Sequence, residues 1–184
     1  QNSAVELQVF RAMSNAERYR YVQVFPFWKL DSANVSFNFC QLFPILEEKN
    51  DLHAAFALKL QQFHQRGKLK LKQKEVLQLL HRMEQLATQQ DWKVETVVAH
   101  HYLVFEKFSQ KEIPTEWVYT EALNTYRRME ELGFEQFKDY QLEGILLELG
   151  QFMYGLEDFE NMFLFLSVAE RFIQFTESGQ YSTI

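Results

Sequence analysis

The chain has 184 residues, of which 47% are hydrophobic and 24% charged, and a formal net charge of −6. That is the composition of a globular chain with a sizeable core, and it excludes a disordered or fibrous one. Six glycines and three prolines are too few for the turns of an all-β fold, and an isoelectric point near 5.4 argues against nucleic acid as the main partner.

In chain order, apolar residues at the helical period predict helices over 4–12, 15–29, 32–48, 51–66, 71–89, 91–108, 115–132, 137–155 and 158–177. Pro26 and Pro44 fall inside apolar segments and predict a kink or an early helix end. Cys40 is the only cysteine, so no internal disulfide forms; set between Phe39 and Gln41, it reads as a buried inert thiol. Asp31, Asp91 and Asp158 are placed to cap helix N-termini, as is Thr115 after Pro114. Gly67 and Gly133 are expected to end helices. Arg66, Lys68, Lys70, Lys72 and Lys74 form a basic run that could touch phosphate or anionic lipid, or be a solvated loop opening the next helix. From Met129 onward, eleven acidic residues stand against two basic ones.

The last helix carries Phe159, Met162, Phe163, Leu166, Ala169, Phe172 and Ile173 in one stripe, with Leu164, Phe165 and Val168 as a second apolar face. Two apolar faces predict cover on two sides, as inside a stack of helices. Three segments open alike, Asp51-Leu52, Asp91-Trp92 and Asp139-Tyr140, and Gln180-Tyr181 looks like a fourth opening. Spacings of 40, 48 and 41 residues containing two helices are the signature of an α-solenoid.

The segment Leu149-Gly150-Gln151-Phe152-Met153-Tyr154-Gly155-Leu156-Glu157-Asp158-Phe159-Glu160 resembles the centre of a tetratricopeptide repeat. Ala169 falls at the small position of that family's second helix. Gly150 and Ala169 are small where helices must approach closely, and Phe159 is expected to act as a wedge between hairpins. Tyr102 and Gln62 stand where the other repeats would have Gly150, and the period is longer than the family's. The resemblance covers residues 30–184. It implies an all-α, right-handed α-α superhelix of about four helical hairpins, a TPR-like solenoid forming a single domain over 1–184. Irregular hairpins would fill 1–50, TPR-like repeats 51–177, and the start of a further repeat 178–184.

In that family the first helix of each hairpin lines a concave groove where partners dock. Carried through Gly150, the register implies Leu147, Gln151 and Tyr154 in the last repeat, Ala99, Leu103 and Glu106 before it, and Lys59, Phe63 and Arg66 earlier. Apolar anchors among polar groups suit an extended peptide; alternatively, Phe63 and Leu103 are core. The expected partner is therefore a protein or peptide.

No chemistry competes strongly. His100 and His101 point about 100° apart on a helix and cannot readily share a metal, and His53, His64 and His81 lack ligand spacing. The clusters Glu130-Glu131-Glu135 and Glu157-Asp158-Glu160 could supply a glycosidase-like pair, but both lie at helix ends where capping acids belong. No phosphate loop or nucleophile elbow is present. No catalytic residue, metal or cofactor is assigned, and no segment reaches the length of a membrane span.

The chain finishes on Phe163, Phe165, Phe172 and Phe175, without the polar cap a solenoid needs. It therefore reads as part of a longer protein, similar to the repeat-bearing N-terminal segments of bacterial signalling regulators, with a sensory or scaffolding role. Were further repeats missing in solution, the C-terminal helix face could drive homodimerisation. A start at Gln1 leans slightly towards an exported, periplasmic chain over a cytoplasmic one. The rival readings are an all-α regulator holding a small ligand in a closed apolar pocket, and a helical enzyme subunit.

Overall fold

The computed structural model describes residues 6–173, which are helical and contain no strand. Nine α-helices run α1 Leu7–Ala12, α2 Asn15–Val24, α3 Ser32–Glu48, α4 Leu52–His64, α5 Gln73–Gln89, α6 Lys93–Ser109, α7 Thr115–Leu132, α8 Leu142–Gly155 and α9 Phe159–Ile173. Two 3₁₀ segments, Phe27–Lys29 and Phe134–Tyr140, join them. The helices belong to two compact units, residues 1–91 and 92–184. The predicted opening at 180–184 and Phe175 lie outside the described residues.

The first unit is built around α4, which packs against α2, α3 and α5. Its phenylalanines form a ring-to-ring chain: Phe10 meets Tyr21, Tyr21 meets Phe25, Phe25 meets Phe27 at 4.7 Å, and Phe27 stacks on Phe39 at 4.9 Å. Pairs of this geometry add to the burial of the rings themselves. The N-terminus of α4 contains a buried ion pair. Asp51 caps the helix by accepting from Ala54 N, and Arg18 Nε donates to Asp51 Oδ2 at 2.8 Å. The remaining guanidinium donors reach the carbonyls of Met13 and Arg11 and the side chain of Asn15. A charge that deep is tolerated because its hydrogen-bonding positions are filled.

The second unit is two hairpins, α6–α7 and α8–α9, with the 3₁₀ segment Phe134–Tyr140 touching α6, α7 and α8. Phe137 and Tyr140 from that segment are buried, and Tyr140 Oη donates to Glu95 Oε1 at 2.8 Å. The predicted helix over 137–155 takes in the last four residues of this seven-residue segment, whereas α8 begins only at Leu142.

Helix ends differ from expectation in an informative way. Gly133 does end α7 with φ 94°, but Gly67 is not a cap; α4 ends at His64. Four turns instead use left-handed non-glycine residues, Asn50, Lys70, Lys111 and Glu157. After each, the next N–H reaches back five residues: Asp51 to Leu46 O, Leu71 to Arg66 O, Glu112 to Lys107 O and Asp158 to Met153 O. At the ends of α3, α6 and α8 this is the Schellman arrangement, which satisfies the orphan carbonyls of a helix; at Lys70 the same bond closes the turns that follow α4. Asp31 and Asp158 cap as expected. Thr115 does not, because Pro114 occupies the cap position. Trp92 rather than Asp91 precedes α6, since Asp91 is left-handed at φ 53°. α3 continues through Pro44, and Cys40 lies on its exposed side rather than in the core.

Candidate functional site

The α8–α9 hairpin carries the most exposed aromatic surface of the second unit. Its two helices approach closely at Gly150: a Cβ there would lie 2.8 Å from Leu166 Cδ2 and 3.1 Å from Cγ. Asp158 fixes the start of α9. It accepts from Asn161 N at 3.1 Å, from Asn161 Nδ2 at 2.8 Å and from Tyr119 Oη of α7 at 2.8 Å. Donation from the Asn161 side chain first, then its backbone N–H and Tyr119, holds the Asp158 carboxyl below its ordinary pKa.

α9 then buries Phe165, Val168 and Ala169. Met162, Leu166 and Phe172 of the expected stripe are half-buried, whereas Phe163 is 66% exposed and Phe159 is 48% exposed. Phe159 is therefore not a wedge between hairpins. Its ring meets that of Tyr154, itself 64% exposed, at 6.2 Å. Leu147, Gln151 and Tyr154 repeat along the outer side of α8, and Phe163 follows Phe159 by one turn. Leu156 and Leu164 are also exposed on this hairpin. Exposed Glu157 and Glu160 stand at its edge, in a unit that carries sixteen acidic and seven basic residues. The result is an aromatic face with an acidic rim.

The predicted groove positions are not equivalent. Leu147, Gln151 and Tyr154 share this exposed face. Ala99 and Leu103 of α6 are buried and offer a partner no surface, and Glu106 is half-buried. In the first unit Phe63 is buried, so the alternative of a core role describes both Phe63 and Leu103. Arg66 lies 4.3 Å over the Phe63 ring and donates to the Phe63 carbonyl. Lys59 lies 5.4 Å from the Phe43 ring centroid, and burial, then Arg82, push its ammonium pKa down. Phe159 and Phe163 were absent from the predicted set because their spacing is equally that of a core stripe. The high local density of acids was the available signal.

A concave region of about 460 Å³ lies between α6 and α7. His100 Nε2 is 2.8 Å from Glu121 Oε2 at this site, with Asn124, Arg127 and Arg128 on the α7 side. The paired His100 and Glu121 are 21 residues apart, so linear spacing gave no hint of them. His101, the neighbouring histidine, points away into the core, with its Nε2 2.8 Å from Glu148 Oε1 of α8 and its ring against Phe105. The two histidines thus serve different surroundings. Among the described residues no group of three or more His, Cys, Asp or Glu could hold a metal ion, and no helix is long and apolar enough to cross a membrane.

Comparison with family models, curated proteins and solved structures found no match. The likeness to tetratricopeptide repeats accordingly rests on the residues of the chain.

Proposed function

We propose that the chain is a protein- or peptide-binding helical-repeat domain, a tetratricopeptide-like superhelix that forms the sensory or scaffolding part of a bacterial regulatory protein. The observation that carries the binding role is the face formed by Leu147, Tyr154, Phe159 and Phe163, with Glu157 and Glu160 at its edge. Contiguous exposed aromatics are costly in water and supply most of the energy at protein interfaces. An acidic rim selects a partner of opposite charge and accelerates its encounter. The partner that fits is a basic amphipathic helix with apolar anchors at i, i+3 or i+4.

A display library of random peptides tests this. Enriched sequences should carry apolar anchors flanked by Lys or Arg and bind the Phe163→Asp variant about tenfold or more weakly. No enrichment, or binding indifferent to Phe163→Asp, would sink the reading. The small-ligand alternative draws on the polar cleft beside His100. It would gain ground if thermal shifts responded to small anions and vanished in Arg128→Gln.

A further inference from the structure

The first unit has a surface of opposite character. No acidic residue occurs between Asp51 and Glu75, while Lys59, Arg66, Lys68, Lys70, Lys72 and Lys74 fall in that interval. The loop between α4 and α5 is tied down at a specific place. Lys68 Nζ donates to the carbonyls of Trp28 and, at 2.7 Å, Leu30. Leu69 packs on the core from the same loop. Lys68 thereby ties the loop that carries Lys70 and Lys72 to the 3₁₀ turn Phe27–Lys29, where Trp28 is 55% exposed. Lys29 Nζ lies 5.0 Å from the Trp28 ring centroid. Lys29, Lys70, Lys72 and Lys74 remain exposed. The flanking acids are engaged locally: Asp31 accepts from Asn34, and Glu75 accepts from Lys72 N.

We propose that this patch docks the protein on an anionic lipid surface, with the Trp28 ring entering the headgroup layer. Four features of the patch point there. Lysines are strongly hydrated point charges suited to a diffuse anionic plane, whereas phosphate or base recognition favours arginine forks. The run has one arginine, Arg66, and its guanidinium is spent on Phe63. A single exposed indole beside cations matches the interfacial preference of tryptophan and gives no ladder for stacking bases. The first unit is net +3, with twelve basic and nine acidic residues, so the chain's acidity comes from the other unit.

The test uses the full chain and vesicles of mixed phosphatidylglycerol and phosphatidylcholine, against phosphatidylcholine alone. The chain should sediment with the mixed vesicles only, release with added salt, and show an indole blue shift that Trp28→Phe abolishes. The variant Lys70→Gln/Lys72→Gln/Lys74→Gln, altered only at exposed side chains, should bind about tenfold or more weakly with unchanged circular dichroism. The proposal is overturned by no binding to mixed vesicles, by equal binding to neutral ones, or by full binding of the triple variant. Equal affinity for a single-stranded oligonucleotide would assign the patch to nucleic acid instead.

Discussion

The two units spend their aromatic residues differently. In residues 1–91 the rings of Phe10, Tyr21, Phe25, Phe27 and Phe39 touch one another, and the Arg18–Asp51 pair joins α2 to α4 beneath the surface. In residues 92–184 rings also fill the interior, as where Tyr126 meets Phe165 at 4.6 Å. Both units also leave rings outside, but Tyr154, Phe159 and Phe163 lie in the acidic unit, whereas exposed Trp28 of the first unit has Lys29 beside its ring. Charge divides along the same line, basic in the first unit and acidic in the second. The comparison teaches that a count of phenylalanines predicts a large core without showing which rings belong to it. Surface placement beside like-charged neighbours marks the rings available to a partner.

The contrast can be broken most forcefully at the buried ion pair. Arg18→Met leaves Asp51 charged and without its guanidinium, and should cost roughly 3–5 kcal/mol. Hydrogen exchange of α2 and α4 amides measures it; unchanged protection would mean the pair is no lock. In the second unit, Tyr140→Phe removes the buried donor to Glu95 and should cost about 2 kcal/mol in urea unfolding. A loss below a few tenths would show that other contacts of Glu95 suffice.

Smaller changes sharpen the account of the turns. Lys111 is left-handed at φ 61°, so Lys111→Gly should stabilise by about 1 kcal/mol. A destabilised variant would contradict the Schellman geometry. Asp158→Ala should cost about 1 kcal/mol near neutrality, the usual worth of a side-chain N-cap; the carboxylate is only partly buried. Since its pKa is depressed on folding, the cap contributes fully above the unfolded value and is lost as pH falls through the folded one. The gap between wild type and variant should therefore close in acid. A gap that persists there would mean the carboxylate charge is not what caps α9.

Much of the helical layout was legible because periodicity reports burial. The interval 32–48 and the observed α3 coincide, and the close approach expected at Gly150 is made by Leu166. Turns were less legible. Lys70, Lys111 and Glu157 adopt backbone conformations usually signalled by glycine, whereas Gly67 lies in the turns after α4 without ending it. Asp91 failed as a cap for a similar reason, its own left-handed backbone placing Trp92 next to the helix. The site was half legible. Tyr154 follows from the register implied by the tetratricopeptide resemblance, but Phe159 and Phe163 needed the packing of α9, where Phe165 turns inward in their place. His100 meeting Glu121 depended on how α6 and α7 pair, which no linear motif encodes.

The most direct test compares the two surfaces with one ligand. A basic amphipathic peptide selected on the chain would be titrated into Tyr154→Asp/Phe163→Asp and into Trp28→Ala. Affinity should fall about tenfold or more in the first variant and stay at the wild-type value in the second. Loss in Trp28→Ala with full binding in the double variant would place recognition on the basic unit and contradict the acid-rimmed face as the binding site.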